Sequence, residues 1–92
     1  MIKNFKHKGL QEFFLMGNAA KINKSHAKKI ALILAKLHTS VNIADMNFPG
    51  SELHPLKGDR KNFWAVSVSG NWRIIFRFTE EGVYDVDYLD YH

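Results

Sequence analysis

The 92-residue sequence contains no cysteine, which excludes a disulfide framework, a thiolate metal site and a cysteine nucleophile. It also lacks a long hydrophobic run: the longest clearly apolar stretch, IALILA at positions 30–35, is far too short to span a membrane. The amino-terminal stretch is basic at first but has no continuous apolar segment of the kind found in a secretory signal. We therefore expect a soluble, cytoplasmic protein.

Several signatures of catalytic sites are also missing. There is no glycine-rich phosphate loop, which argues against a nucleoside triphosphate site, and no nucleophile elbow of a serine hydrolase. None of the five histidines is spaced from another as in a helical zinc site. We expect neither a bound metal nor a cofactor.

Charge is distributed unevenly along the chain. The formal net charge is +4, yet five of the nine acidic residues lie between positions 80 and 90, and residues 1–29 hold seven lysines and one acid. A basic amino-terminal region of this kind attracts polyanions such as RNA or DNA, although a lysine-rich solvated surface would look the same.

The pattern of apolar residues predicts a single α+β domain over residues 1–92. Residues 2–5 fit a short strand, and apolar residues from Leu10 onward recur at helical spacing until Gly17, which suits a helix end. A second helix is predicted with Ser25 as its N-cap. Its apolar stripe would consist of Ala27, Ile30, Ala31, Leu34, Leu37, His38 and Val41.

The carboxy-terminal half predicts an antiparallel sheet. Residues 42–62 are rich in turn-forming types, and strand-forming runs follow at 63–68, at 72–78 and from 83 to the end. Alternation puts Trp72, Ile74, Phe76 and Phe78 on the face covered by the helices, with Arg73, Ile75 and Arg77 on the other.

The register of the last hairpin stays open. If Phe78 faces Val83, Arg73 lies beside Tyr88, whereas a shift of one residue places Arg77 opposite Asp85.

The polar residues that could do chemistry concentrate in two places, LHPLKGDR at 53–60 and DYH at 90–92, with Arg73 between them. RNA cleavage without a metal requires a base, an acid and cations for the phosphate, and His54 and His92 could transfer the protons. Lys57, Arg60 and Arg73 could stabilise the phosphate charge. Trp64, Trp72, Tyr88 and Tyr91 could stack on an unpaired base, although both tryptophans also suit a hydrophobic core.

Three segments resemble the HigB toxins of the RelE/ParE superfamily, the toxin halves of bacterial type II toxin–antitoxin pairs. The segments are FKHKGL at 5–10, LHPLKGDRKNFWAVSVSGNWRIIFRF at 53–78 and DYLDYH at 87–92. The resemblance implies a compact RelE-like α+β fold, with a short N-terminal strand and two helices packed on a mostly antiparallel sheet.

The resemblance also implies a ribosome-dependent endoribonuclease that cuts mRNA in the ribosomal A site by 2′-hydroxyl attack. By motif position, His54, Asp90, Tyr91 and His92 would form the active centre, while Lys57 and Arg73 would contact phosphate. The lysines at 21, 24, 28, 29 and 36 (Lys21, Lys24, Lys28, Lys29 and Lys36) would be candidate contacts to ribosomal RNA.

The implied partners are a HigA-like helix-turn-helix antitoxin, the 70S ribosome and mRNA, with operator DNA bound only through the antitoxin complex. Two other functions remain open, a translation inhibitor that binds RNA or the ribosome without cutting and a ParE-like gyrase poison. Because alternation separates Asp90 and His92 from Tyr91, we expect the last strand to bend or end near Asp90.

Overall fold

The structure, a computed structural model, describes residues 1–91 and consists of a four-stranded antiparallel sheet with two helices on one face. The helices are α1 (Lys8–Met16) and α2 (Ala27–Thr39), and the strands are β1 (His54–Pro55), β2 (Phe63–Ser69), β3 (Trp72–Thr79) and β4 (Gly82–Asp90). The strands lie in the order β1-β2-β3-β4. This arrangement confirms the predicted α+β class. No helix within residues 1–91 is long and apolar enough to cross a membrane.

Helix α1 ends where the sequence indicates, and it begins at Lys8, two residues before the first apolar residue of the pattern. The Nδ1 atom of His7 accepts a hydrogen bond from the backbone N–H of Leu10 at 3.0 Å and so caps the first turn. At the other end, Gly17 takes a left-handed conformation (φ 73°) and its N–H donates to the Phe13 carbonyl. The predicted helix stop at Gly17 is confirmed.

Helix α2 differs from the prediction at its start and along its buried face. A 3₁₀ turn (Lys24–His26) precedes it, and the cap of that turn is Asn23, whose side chain accepts from the N–H of Ser25 at 3.0 Å. Ser25 is therefore not the N-cap. The 3₁₀ turn starts the helical segment earlier, so the capping residue is Asn23, two residues before Ser25. The buried residues of the helix are Ile30, Ile33, Leu34 and Leu37.

Two residues of the predicted stripe lie outside the core. Ala31 is exposed and Val41, which follows the helix, is 86% exposed. The helix ends at Thr39, so the periodicity no longer applies at position 41.

The amino-terminal segment lies along the free edge of β4. Ile2 and Phe5 form isolated parallel bridges with Val83 and Val86, and the N–H of Lys3 donates to the Val83 carbonyl at 2.7 Å. The predicted strand at 2–5 is thus an extended edge segment with two bridges. It covers the edge that β4 would otherwise expose.

The two faces of the sheet have the composition that alternation predicts. On the helix face, Ile74 and Phe76 are fully buried against both helices, and Trp72 and Phe78 pack at the margins of this core. The opposite face, called the outer face below, carries Arg73, Ile75 and Arg77 on β3.

A bulge in β4 reconciles the two registers that the sequence left open. Phe78 pairs with Val83 and Arg77 with Tyr84, but beyond the bulge Ile75 pairs with Asp87 and Arg73 with Leu89. Asp85 is the inserted residue and has a left-handed φ of 56°. The first register holds at the turn, and the shifted register holds for the rest of the strand.

The outer face is partly covered by the loop that links β1 to β2. Leu56 lies against Ala65 and Ile75, and the partly buried Phe63 and Leu89 border this small cluster. A 3₁₀ turn (Gly58–Arg60) follows, so the loop carries its basic residues toward the end of β4.

Candidate active site

His54 is held at the edge of the outer face with a defined ring orientation. It pairs with Ala65 as the first residue of β1, and Pro55 behind it restricts its backbone to extended conformations. Its Nδ1 atom lies 2.9 Å from the carbonyl oxygen of Glu52. A carbonyl oxygen can only accept, so Nδ1 carries the proton and the lone pair of a neutral ring lies on Nε2.

Arg73 lies on β3, on the same face of the sheet as His54. Its Nη1 donates to the carbonyl oxygens of Gly70 at 2.6 Å and Trp72 at 3.0 Å, and approaches Ser67 Oγ at 3.5 Å. These bonds use one terminal nitrogen, and within residues 1–91 no carboxylate pairs with the guanidinium. From strand geometry its Cα lies about 12 Å from that of His54, two strands across and two residues along.

Lys57, Arg60 and Tyr91 gather above the end of β4. The Arg60 guanidinium lies 6.0 Å from the centre of the Tyr91 ring, which is 40% exposed. A cleft of about 400 Å³ is lined by Lys57, Asp59, Arg60 and Tyr91. The pairing of an aromatic face with cations suits an unpaired base and its phosphate.

The end of β4 has the form expected from the sequence. The strand ends at Asp90, which pairs with Trp72, and the N–H of Tyr91 donates to the Asn71 carbonyl at 2.7 Å. Asp90 and Tyr91 both line a second cleft of about 550 Å³ together with Arg60 and Leu89. His92, the remaining member of the predicted active centre, lies outside the described residues.

Three of the four aromatic residues considered for base stacking pack in or against the helix-face core. Tyr88 is 5% exposed and its ring stacks on that of Trp72 at 4.6 Å, while its hydroxyl lies 2.7 Å from Nδ1 of the buried His26. Burial raises the pKa of the Tyr88 phenol, and a hydrogen bond with the Asn23 backbone acts in the opposite direction. Trp64 packs against the helix-face core, which leaves Tyr91 as the exposed ring at the site.

The remaining histidines have structural contacts. The Nδ1 atom of His38 accepts from the backbone N–H of Ile2 at 3.2 Å, and His7 caps α1. Within residues 1–91, no three histidine, aspartate or glutamate side chains form a group that could hold a metal ion.

The sequence profile of the HigB-like toxins, described as RelE-like toxins of type II toxin–antitoxin systems, matches residues 3–92. The chain is also 40% identical to Endoribonuclease HigB of Proteus vulgaris over 92 residues, which is 100% of both chains. The chain belongs to the HigB-like toxin family. The resemblance inferred from the three segments is therefore confirmed over almost the whole length.

In this HigB-like chain, the five candidate lysines for ribosomal RNA differ in their surroundings. Lys21 forms an ion pair with Glu12 at 3.1 Å, and Lys36 lies 5.0 Å from the centre of the Phe48 ring. Lys29 is half-buried, whereas Lys24 and Lys28 are exposed at the start of α2. His26, just before α2, contacts Trp72 at the start of β3 and Tyr88 near the end of β4. The start of α2 therefore lies over the end of the sheet that carries Asn71 and Tyr91.

Sequence reasoning missed the backbone groups that orient the site. The carbonyl oxygens of Glu52, Gly70 and Asn71 fix His54, Arg73 and the end of β4 respectively. Every residue type has a carbonyl, so no residue type signals these roles. The one available signal was the glycine at position 70, within the turn between β2 and β3.

Proposed function

We propose that the protein is an endoribonuclease toxin that cuts mRNA in the ribosomal A site and thereby inhibits translation. The family, the name of the Proteus vulgaris relative and the site geometry all support this function. The observation that carries it is the arrangement on the outer face. This face carries a histidine with its Nδ1 hydrogen-bonded and an arginine with no carboxylate partner within residues 1–91. An arginine–tyrosine pair lines two open clefts near the end of β4.

The proposed reaction is transfer of the phosphodiester to the neighbouring 2′-hydroxyl without a metal. Nε2 of His54 removes the proton from the 2′-hydroxyl as that oxygen attacks the phosphorus. The bond to the 5′-oxygen then breaks, and His92 donates a proton to the departing oxygen. The products are a 2′,3′-cyclic phosphate and a 5′-hydroxyl, and each general acid–base group contributes about 10²–10⁴-fold.

The remaining site residues would hold the substrate. Arg73 and Lys57 stabilise the charge that develops on the phosphorane, because cations placed in advance need no reorganisation during the reaction. Arg60 and Tyr91 hold the adjacent base and phosphate, and Asp90 orients a catalytic partner. Lys24 and Lys28, with Lys21, Lys29 and Lys36, contact ribosomal RNA.

We further propose that the toxin acts on mRNA within the 70S ribosome and is neutralised by a HigA-like helix-turn-helix antitoxin. The type II toxin–antitoxin family supports an antitoxin partner. Operator DNA would be bound through the antitoxin complex. The toxin domain itself would be a single unit of residues 1–92 in the cytoplasm.

Mapping of transcript 5′ ends tests the function. Purified wild-type protein added to a translation reaction should produce new mRNA 5′ ends at ribosome-occupied codons, and far fewer on the same mRNA without ribosomes. His54→Ala and His92→Ala should each lower the yield of cuts by at least about 100-fold, because each removes a proton-transfer group.

His38→Gln is the matched control, because it removes a histidine whose described contacts lie away from the site. It should keep the wild-type cleavage pattern. Arrest of translation with intact transcripts would favour a binding inhibitor instead, and inhibition of gyrase in a supercoiling assay would favour a ParE-like poison. Wild-type cleavage by both alanine variants would exclude the proposed proton transfers.

A further inference from the structure

Glu52 has a backbone conformation that its residue type rarely adopts. Its φ is 48°, in the left-handed region, where Gly, Asn and Asp are the usual residues. Within residues 1–91, the other non-glycine residues with positive φ are Asn62 and Asp85, which belong to those types. A glutamate here is disfavoured unless the surrounding chain imposes the conformation.

The chain on both sides of Glu52 is fixed by hydrogen bonds. Ser51 is fully buried: its Oγ accepts from the N–H of Phe48 at 3.2 Å, and its carbonyl oxygen accepts from the N–H of Ser67 on β2 at 2.8 Å. On the other side, His54 of β1 pairs with Ala65 of β2. Glu52 therefore lies where the chain must turn between two anchored points.

The turn directs the Glu52 carbonyl oxygen toward the imidazole of His54. The 2.9 Å contact to Nδ1 requires the proton on that atom, which leaves Nε2 as the basic nitrogen of the neutral ring. A relaxed conformation at position 52 would turn this carbonyl oxygen away, since the peptide group rotates with the backbone. The orientation of the ring and its tautomer thus depend on the backbone conformation at position 52.

We propose that Glu52 is a positioning residue whose left-handed backbone holds His54 in the Nδ1–H tautomer and presents Nε2 to the 2′-hydroxyl. The assignment of the tautomer follows from the hydrogen bond to Glu52 and does not depend on any reaction, whereas the catalytic role of Nε2 rests on the proposed function. The Glu52 side chain is exposed and has no part in this role.

Four substitutions at position 52 separate the backbone from the side chain. Glu52→Gln removes the charge and keeps an unbranched side chain, and Glu52→Gly removes the side chain while permitting positive φ at no steric cost. Glu52→Val strongly disfavours positive φ because of its branched Cβ, and Glu52→Ala is a milder variant of the same kind. Thermal melting shows which variants are folded.

The first measurement is the tautomer of His54, read from ¹⁵N chemical shifts of the labelled imidazole at a pH where the ring is neutral. We expect the Nδ1–H form in the wild type, Glu52→Gln and Glu52→Gly. Since a net hydrogen bond favours one form by roughly threefold to tenfold, folded Glu52→Val or Glu52→Ala should shift toward the Nε2–H form by that factor.

The second measurement is the single-turnover rate of mRNA cleavage at saturating ribosome-bound mRNA, with binding measured separately. Glu52→Gln and Glu52→Gly should remain within about twofold of the wild type. Glu52→Val and Glu52→Ala disfavour positive φ. Whichever of them is folded should cleave at least about tenfold more slowly with unchanged mRNA binding, because the substitution impairs a proton-transfer group.

The two measurements fail in distinguishable ways. An Nε2–H tautomer in the wild type, or wild-type tautomer ratios in folded Glu52→Val and Glu52→Ala, would overturn the positioning role whatever the activity. The predicted tautomer shift with an unchanged cleavage rate would support the positioning role and count against His54 as the base. If both substitutions unfold the chain, retention of the Nδ1–H form in Glu52→Gly supports the role, and its loss overturns it.

Discussion

At the scale of single residues, Arg73 and Arg77 have identical side chains but different contacts, and these contacts give them different roles. Both project from the outer face of β3. The Nε atom of Arg77 binds the Asp85 carboxylate at 3.3 Å, and its guanidinium lies 4.8 Å from the centre of the Tyr84 ring. Arg73 is held by carbonyl oxygens, which orient the group without neutralising its charge.

This difference predicts opposite outcomes for the same conservative substitution. Arg73→Lys should lower the single-turnover cleavage rate by roughly 10–100-fold, because an ammonium cannot bind carbonyls and a phosphate through one planar group, and hydrogen bonds to charged groups are worth about 1.5–3 kcal/mol. Arg77→Lys is the control: its half-exposed ion pair contributes at most about 1 kcal/mol.

The measurement pairs cleavage kinetics with urea unfolding of both variants. Arg77→Lys should lower the unfolding free energy slightly and leave the cleavage rate within about threefold. Equal losses of cleavage in the two variants would indicate that Arg73 acts through the general charge of the face rather than by binding the phosphate.

At the scale of secondary structure, the bulge in β4 determines which side chains reach the site. Val83 and Val86 both lie in the helix-face core although they are three residues apart, a spacing that would put them on opposite faces of a regular strand. The extra residue, Asp85, restores the alternation, so Tyr88 enters the core and Leu89 lies beside Arg73. Asp85 is held by Arg77 and by Asn4, whose side chain accepts from the Asp85 N–H at 2.8 Å.

The bulge predicts a ranking of stabilities at position 85. Asp85→Asn should lose at most about 1 kcal/mol, the value of an exposed ion pair, since asparagine tolerates positive φ. Asp85→Val should be less stable than Asp85→Gly by about 1–2 kcal/mol, because a β-branched residue is strained at a left-handed φ. Urea unfolding measures the ranking, and equal stability of the valine and glycine variants would mean that the backbone does not require positive φ there.

The same bulge explains where sequence reasoning succeeded and where it stopped. Apolar periodicity was enough for α1, for β2 to β4 and for the burial of Ile74 and Phe76, because those patterns repeat over several residues. The register between β3 and β4 depends on where the bulge accommodates one extra residue, and the segment DYLDYH is compatible with both registers that the sequence left open. The position of Tyr91 near Arg60 therefore required the structure, whereas residue chemistry had already singled out both side chains.

Errors at the start of α2 have a similar local cause. Asn23 and Ser25 both offer a capping side chain just before α2, which begins at Ala27, and sequence alone does not decide whether a 3₁₀ turn intervenes. The resemblance supplied Asp90, Tyr91 and His92 as a group, and their joint role remains a prediction.

At the scale of the whole molecule, positive charge flanks the sheet end at which the candidate site lies. Lys24 and Lys28 lie at the start of α2, and Lys57 and Arg60 lie on the outer face near Tyr91. The acidic residues of the β3–β4 turn, Glu80 and Glu81, lie at the other end of these strands. The clefts also contain Asp59 and Asp90, so an excess of cations around them, rather than a purely positive surface, orients the molecule toward a polyanion before contact.

We expect Lys24→Gln/Lys28→Gln to weaken ribosome binding and to make it less sensitive to salt. If each lysine neutralises one phosphate, the slope of log K against log salt should decrease in magnitude by about 1.4–1.8, from 0.7–0.9 per phosphate. The control is Lys3→Gln/Lys6→Gln, which lowers the formal net charge equally, from +4 to +2, at the amino-terminal edge of the sheet. Ribosome binding is measured by co-sedimentation from 50 to 200 mM salt. The slope of the control variant should be close to that of the wild type. Equal decreases in both double variants would mean that the effect comes from net charge rather than from the start of α2.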